Sequence, residues 1–132
     1  MRAADAARRW AETWQRSWEA LDAEPIVALY ADDCTYVSQP FREPERGRDG
    51  ARDYVSGAFA DESEVRAWFG RPIVDGRRAA VPWWAALREA GEDVTLAGTS
   101  VLVFDAEGLV TAQWDAWNMT PGRREPPEGW GR

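Results

Sequence analysis

Residues able to transfer a proton are few in this chain of 132 residues. It contains no histidine and no lysine, so its 16 basic residues are all arginine, and Cys34 is its only cysteine. These absences exclude Ser-His-Asp and Cys-His nucleophile pairs, histidine-ligated metals, Schiff-base lysines and a phosphate-loop lysine. A single cysteine also excludes an internal disulfide and fits a reducing compartment. Proton transfer is left to carboxylates, tyrosine, cysteine or water, and we expect neither a metal nor a cofactor.

Asp115 is the strongest candidate among these groups. It belongs to VTLAGTSVLVFDAEGLVTAQWDAWN, residues 94–118, whose β-formers and central DAEG turn predict a long hairpin. Pairing Phe104 with Leu109 places Asp115 opposite Gly98, where a small residue would leave room for a substrate atom. Side chains of a strand alternate between the two faces of a sheet. One face of this hairpin therefore carries a mostly apolar set: Leu96, Gly98, Ser100, Leu102, Thr111, Gln113, Asp115 and Trp117.

Two interpretations of Asp115 remain open. Desolvation beside Trp117 and the tryptophans of the first helix would raise the pKa of its carboxyl and suit it to acid/base catalysis. Alternatively, Asp115 is the structural ion-pair partner of an arginine. The turn signal at 75–76 predicts a hairpin that places Arg66 opposite Ala85, in the same row as Asp115. Arg66 would then pair with Asp115 or polarise a substrate oxygen.

The elements that position these residues are helices followed by a meander. Residues 2–21 carry tryptophan and alanine at helical spacing, which predicts one apolar stripe. Further helices are predicted at 23–31, with Pro25 in the first turn, and from 49 or 50 to 60. Strands are predicted at 34–39, 64–74, 77–89, 94–104 and 109–118. Pro82 inside the second of the four meander strands predicts a nearby bulge.

The tryptophans of the first helix either pack in the core or form the wall of a ligand cavity. Polar side chains on the same inner faces would orient a ligand or simply make structural hydrogen bonds. The residues predicted to line a pocket with Asp115 are Trp14, Trp18, Tyr36, Ser38, Tyr54, Phe59, Arg66, Trp83, Leu96, Gly98, Ser100, Gln113 and Trp117.

The other face of the predicted sheet is also apolar, although a face open to water should be polar. We therefore expect a homodimer in which a second copy covers this outer sheet face. Its predicted contact residues are Trp84, Thr99, Val101, Val103 and Trp114. The net charge of −7 argues against nucleic acid or an anionic membrane as partner. No apolar run reaches the ~20 residues of a membrane span, and the N-terminal residues lack the apolar core of a signal peptide, so we expect a cytoplasmic location.

Three segments together resemble the nuclear transport factor 2-like superfamily, in its SnoaL-like branch. They are DAEPIVALYADDCTYVSQPF at 22–41, RGRDGARDYV at 46–55 and VLVFDAEGLVTAQWDAWN at 101–118. The resemblance implies an α+β fold, with three helices packed on a curved antiparallel sheet around a cone-shaped apolar pocket, in a dimer. We expect one domain over 1–132, with a core at 1–121 and a Pro/Gly-rich tail at 122–132. Members include ketosteroid isomerases, polyketide cyclases, scytalone dehydratases, limonene epoxide hydrolases and pocketed proteins without known reaction.

The catalytic residues of isomerase-like relatives are not kept. Their general-base Asp falls at Ser38 or Gln39, their oxyanion Tyr at about Trp14 and their second oxyanion acid at Ser100. Cyclase-like members carry His-Trp-Asp on the last strand, with Asp as acid/base, and here the run is Gln113-Trp114-Asp115. With Asp115 facing a Trp-lined pocket in such a fold, we expect a cofactor-independent acid/base enzyme of the cyclase, isomerase, lyase or hydratase type, acting on a small apolar molecule, including polycyclic ones. The alternative is a non-catalytic small-molecule-binding or accessory dimeric protein of the same fold.

Overall fold

The computed structural model describes residues 1–132 and packs helices against a curved seven-stranded sheet. The helices are α1 Ala3–Ala20, α2 Glu24–Val27 and α3 Gly47–Ala60. The strands are β1 Tyr30–Val37, β2 Glu45–Arg46, β3 Glu62–Phe69, β4 Ile73–Asp75, β5 Arg78–Glu89, β6 Glu92–Phe104 and β7 Val110–Pro121. The strand order is β2-β1-β7-β6-β5-β3, and β4 pairs with β5. The predicted α+β class is confirmed.

The strand β1 differs from the prediction in two ways. It runs parallel to β7, with Tyr36 paired to Gln113, so the sheet is mixed while its other pairings are antiparallel. It also starts at Tyr30, inside the segment predicted as the second helix, because α2 ends at Val27. Short apolar runs do not distinguish a strand from a buried helix by periodicity alone.

The helix α1 supplies the aromatic side of the core. Its buried residues are Ala6, Ala7, Trp10, Ala11, Thr13, Trp14, Ser17 and Trp18. The helix ends where Leu21 adopts a left-handed conformation with φ of 53° and its N–H bonds back to the Trp18 carbonyl at 3.0 Å. The alternation of small and indole side chains lets α1 lie close to the sheet while its tryptophans project over it.

The β5–β6 and β6–β7 hairpins are both shifted by two residues from the predicted register. The turn between β5 and β6 has only two residues, Ala90 and Gly91, with φ of 50° and 85°, which suits the twist of the flanking strands. In the β6–β7 hairpin Asp115 pairs with Ser100, and Gly98 lies between Trp83 on β5 and Trp117 on β7. A shift of two residues keeps every side chain on its face. The predicted faces are therefore right although the predicted partners are wrong.

Arg66 lies on the opposite face from the one predicted. The strand predicted over 64–74 is interrupted at 70–72, where the Gly70 N–H bonds to the Pro82 carbonyl at 2.8 Å. The interruption changes the register by an odd number, so Arg66 pairs with Ala86 instead of Ala85. Its exposed guanidinium bonds to Glu125 at 2.9 Å. Arg66 is therefore neither a pocket residue nor the partner of Asp115.

The C-terminal tail, residues 122–132, covers part of the outer sheet face. The Trp84 indole donates to the Arg124 carbonyl at 2.8 Å and packs edge-on against Trp130, with ring centroids 6.0 Å apart. The Arg71 N–H bonds to the Gly131 carbonyl at 2.7 Å. Trp84, predicted to contact a second copy, is thus covered by its own chain.

The part of this face on β6 and β7 stays uncovered, since Val101 is 39% and Trp114 48% exposed while Thr99 and Val103 are half-buried. We predict that a second copy covers it, because burying apolar surface drives association. Light scattering after size-exclusion chromatography should give a dimer mass at micromolar concentration. Trp114→Glu should shift the protein to monomer, whereas Val74→Glu, exposed on β4, should not. A monomeric wild type would contradict this prediction.

No helix of the structure combines the length and the apolar character needed to cross a bilayer.

Candidate functional site

A cavity of about 70 Å³ lies between α1, α3 and the inner face of the sheet. Of its 16 lining residues, 12 are hydrophobic. The lining residues are Trp10, Trp14, Trp18, Tyr36, Tyr54, Val55, Ala58, Phe59, Glu62, Phe69, Trp83, Leu96, Ser100, Gln113, Asp115 and Trp117. The volume admits a compact group of a ligand, because one water needs only about 10 to 15 Å³ measured in this way.

Most residues predicted for the pocket line this cavity, but three do not. Arg66 faces outward, as described above. Ser38 is buried without lining the cavity, and its backbone carbonyl accepts a hydrogen bond from the Trp117 indole at 2.7 Å. Gly98 is also absent from the lining. Residues that line the cavity without having been predicted are Trp10, Val55, Ala58, Glu62 and Phe69.

Gly98 allows β6 and β7 to approach closely and does not leave space for a substrate. A Cβ built on Gly98 would lie 2.5 Å from Cβ of Trp117 and would also overlap the Ala116 carbonyl oxygen. The expected space for a substrate atom is therefore filled by the neighbouring strand. Glycine at this position lets Trp83 and Trp117, which flank it across the sheet, pack into the wall of the cavity.

Asp115 is nine-tenths buried at the sheet side of the cavity. The Ser100 hydroxyl donates to Oδ1 of Asp115 at 2.6 Å, and the Gln113 amide donates to the same oxygen at 2.9 Å. Neither hydrogen bond involves Oδ2. Burial raises the pKa of Asp115 to about 6, against the lowering effect of hydrogen bonds from Ser100, Gln113 and Tyr36. The carboxyl is therefore mostly ionised at neutral pH and able to accept a proton.

Indole groups fix the direction of these hydrogen bonds, because an indole N–H can only donate. The Trp83 indole donates to the Ser100 hydroxyl at 3.0 Å, so the hydroxyl proton is free to point at Asp115. On the other side, Trp10 and Trp14 donate to the Tyr30 hydroxyl at 3.4 Å and 3.2 Å. The Ser100 and Tyr30 hydroxyls therefore both accept hydrogen bonds from indoles, and each keeps its own proton free to donate.

Tyr30 holds Gln113 in the orientation that Asp115 requires. With both lone pairs facing indole donors, the Tyr30 hydroxyl donates to Oε1 of Gln113 at 2.5 Å. The amide nitrogen of Gln113 is then directed at Asp115. Burial also raises the pKa of Tyr30 far above its ordinary range, so this hydroxyl stays neutral. Sequence reasoning missed Tyr30 because it placed the residue in a helix.

Tyr30→Phe should lower the free energy of unfolding by about 1 to 3 kcal/mol, because it leaves buried donors on Trp10 and Trp14 and an acceptor on Gln113 without a partner. Urea denaturation measures this change. Tyr54→Phe is the matched control, since Tyr54 is only half-buried and lies at the cavity mouth, and its effect should stay within about 0.5 kcal/mol. Equal effects of the two substitutions would contradict the proposed arrangement.

Glu62 is a second carboxyl in the same cavity. It lies at the start of β3 and accepts a hydrogen bond from the Trp18 indole at 2.7 Å. Burial raises the pKa of Glu62 to about 7, the Trp18 hydrogen bond opposes this shift, and the charges of Glu89 and Asp61 add to it. The edge of the Trp18 ring meets Trp83 at a centroid distance of 5.7 Å. No sequence signal identified Glu62, because it falls in the turn after α3.

A wider outer chamber of about 460 Å³ adjoins the cavity and shares with it the lining residues Tyr54, Ala58 and Trp117. Its charged groups are Arg42, Glu45, Asp53 and Glu89. The inner cavity is therefore the apolar end of a longer recess that becomes polar toward its opening.

The sheet, the helices and this recess define a cone-shaped α+β fold with a carboxyl in an aromatic cavity. A family model for the SnoaL-like domain matches residues 7–113, and the chain belongs to this family. The resemblance to SnoaL-like proteins of the nuclear transport factor 2-like superfamily is thereby confirmed.

Two solved structures share the fold. SalBIII, an epoxide hydrolase/cyclase-like enzyme with a role in pyran ring formation in the polyether salinomycin, matches with a TM-score of 0.76 and 19% identity, over 89% of this chain and 95% of SalBIII. Rv0760c from Mycobacterium tuberculosis matches with a TM-score of 0.76 and 18% identity, over 89% of this chain and 96% of that protein. Sequence comparison with curated proteins gives no significant match. Similarity at this level of identity establishes the fold alone.

Proposed function

We propose that this protein is a cofactor-independent acid/base enzyme of the cyclase, lyase or hydratase type, acting on a small, largely apolar molecule. The observation that carries this proposal is the placement of Asp115: nine-tenths buried, in a Trp-lined cavity, with the hydrogen bonds from Ser100 and Gln113 both on Oδ1. A structural carboxylate would be expected to pair with an arginine. The arginine that the sequence suggested as its partner, Arg66, lies on the other face of the sheet, and no arginine lines the cavity.

Asp115 would act as the general base. Its Oδ1 already accepts two hydrogen bonds, so a proton taken from the substrate would reside on Oδ2. The donors Ser100 and Gln113 stabilise the ionised carboxyl before the reaction and keep it oriented. Burial raises the pKa of Asp115, which brings its basicity closer to that of the groups it must deprotonate.

Glu62 would supply the complementary acid. Two carboxyls in one cavity whose environments push their pKa values apart are suited to separate acid and base roles. Glu62 has the higher of the two pKa values, about 7, so a fraction stays protonated at neutral pH. In a ring closure or hydration, Asp115 would take the proton of a hydroxyl or water nucleophile, and Glu62 would give a proton to the oxygen whose bond to carbon breaks or to the carbon of an alkene.

Isomerisation through an enolate fits the site less well. No arginine lines the cavity, the indole N–H groups of its five tryptophans all donate within the protein, and the Tyr36 hydroxyl bonds to Asp115. Stabilising an enolate oxygen requires preorganised donors aimed at the developing negative charge. We therefore leave isomerases out of the proposed reaction types.

The pH dependence of kcat/KM tests this division of roles. Because Asp115 must be ionised and Glu62 protonated, kcat/KM should rise with pH through about 6 and fall above about 7. Steady-state rates on a substrate found by screening small apolar alcohols, epoxides and alkenes would be measured between about pH 5 and 9. Glu62→Gln should lower kcat/KM, because the acid is lost, and the residual activity should keep the lower limb without the upper one. A profile that stays flat across this range would contradict the proposal.

The same shortage of donors favours a second candidate, a non-catalytic protein that binds such molecules. A binding protein needs the aromatic cavity and no proton transfer. Intrinsic fluorescence separates the two, since five tryptophans line the cavity. Ligands that change this fluorescence in wild type and Asp115→Asn alike, with no product formed by either, would favour binding alone.

A further inference from the structure

The charges around the cavity all have one sign. Its lining includes Asp115 and Glu62 and contains no arginine, in a chain that has no lysine or histidine. Oδ2 of Asp115 accepts neither the Ser100 nor the Gln113 hydrogen bond, and the remaining donor to the carboxyl, Tyr36, is uncharged. A buried carboxylate without a cationic partner is costly unless a ligand supplies the countercharge.

Aromatic rings make up most of the remaining wall. The rings of Trp14 and Trp83 both meet Trp18 edge to face, at centroid distances of 5.9 Å and 5.7 Å. Phe69 packs in the same way against Trp10 at 5.6 Å. Ring faces carry partial negative charge and attract cations, most strongly in sites from which water is excluded.

The C-terminal end of helix α3 adds to the negative electrostatic potential of the cavity. Its last turn borders the cavity through Ala58 and Phe59, and no basic residue lies in that turn. The C-terminal end of a helix carries a partial negative charge. The five indole N–H groups of the cavity are not available to a ligand anion, because they all donate within the protein.

The outer chamber continues this pattern. It holds Glu45, Asp53 and Glu89 against Arg42 alone, and Arg42 lies over the Tyr54 ring at 5.3 Å and within 3.9 Å of Glu45. A positively charged ligand would therefore be attracted along the whole recess, whereas a carboxylate or phosphate would be repelled.

From this we infer that the natural ligand carries a positive charge at its buried end, on an alkylated nitrogen whose apolar methyl or methylene groups contact the indoles. This inference rests on the proposed function in placing the ligand beside Asp115, and it narrows the class of ligand from small apolar molecules to organic cations. An alkylated ammonium group combines an apolar surface with a charge, which matches an aromatic wall that also holds carboxyls.

Three compounds of one shape test the inference. Choline, 3,3-dimethylbutan-1-ol and 3,3-dimethylbutanoate share a compact trimethyl head, and they differ in charge. Binding is measured by tryptophan fluorescence and calorimetry at pH 8. Choline should bind at least about tenfold more tightly than the neutral alcohol, and the carboxylate most weakly. Equal or tighter binding of the alcohol, or no binding of choline at about 10 mM, would overturn the inference.

Two variants locate the selectivity. Asp115→Asn and Glu62→Gln should each reduce the preference for choline over the alcohol, whereas Asp93→Asn, exposed on β6, should leave it unchanged. A preference that survives both cavity substitutions would contradict the inference. Failure of this inference is distinguishable from failure of the proposed function. Tight binding of the neutral alcohol would show that the ligand need not be a cation. Turnover that survives Asp115→Asn would show that Asp115 is not the catalytic acid/base group.

Discussion

Asp115→Asn is expected to lower kcat/KM by about 10² to 10⁴ while the fold becomes more stable at neutral pH. Activity falls because an amide cannot accept the proton. The asparagine Oδ1 can keep the hydrogen bonds from Ser100 and Gln113, since both end on Oδ1 and the new Nδ2 takes the place of Oδ2. The substitution therefore removes the base and preserves the network that holds it.

The stability gain follows from the pKa of Asp115, which burial raises from 3.8 to about 6. The native state then binds the Asp115 proton more tightly than the unfolded chain does. The stability that this proton confers is fully present below about pH 4 and is lost as pH rises through about 6. Asparagine avoids this loss, so at pH 8 the variant should exceed wild type by about 3 kcal/mol.

Urea denaturation at several pH values measures this difference, and initial rates on an identified substrate measure the activity. Asp93→Asn provides the same substitution at an exposed site of β6 and should alter neither quantity. A variant that keeps its activity but loses several degrees in Tm would show that Asp115 is structural.

Gly98→Ala should destabilise the protein by about 2 to 4 kcal/mol. The added methyl group would overlap the β7 backbone at Ala116 and lie 2.5 Å from Cβ of Trp117. Neither atom belongs to the flexible end of a side chain, so the two strands must separate. Because Trp117 lines the cavity, the displacement should also weaken ligand binding.

Gly57→Ala is the matched control for this prediction. Gly57 lies on the exposed side of α3, and a Cβ built there meets no atom within 4 Å. Alanine in place of glycine inside a helix should raise the free energy of unfolding by about 0.5 to 1 kcal/mol. Thermal denaturation of both variants should show opposite signs. A Gly98→Ala protein as stable as wild type would mean that the strands adjust freely at this crossing.

The faces of the sheet were predictable from sequence, whereas the partners across it were not. Alternation alone places Ser100, Gln113 and Asp115 on one face, and errors of two residues in both hairpins leave that result intact. The exact register of the β5–β6 hairpin depended on Ala90 adopting a positive φ, a conformation that alanine rarely takes. A shift of one residue exchanges the two faces of a strand. The irregularity opposite Pro82 was therefore enough to make the predicted face of Arg66 wrong.

Two site residues could not have been found by pattern. Tyr30 sits in a short apolar run that fits a helix as well as a strand, and its role depends on indoles from α1 that are distant in sequence. Glu62 lies among several acidic residues of an ordinary turn, and only the packing of Trp18 over it distinguishes it. The roles of Tyr30 and Glu62 in the site both depend on contacts between segments that are distant in sequence.

The hydrogen-bond chains behind Asp115 have a consequence for isotope labels. Both chains end on indole N–H groups, which do not ionise in water, and one of them passes through an amide instead of an imidazole. A deuteron taken from a substrate therefore has no exit through the protein interior and must leave by the open recess or return to the product. Catalysis in a compartment with this one exit should transfer part of the label internally and lose the rest to bulk solvent only through the recess.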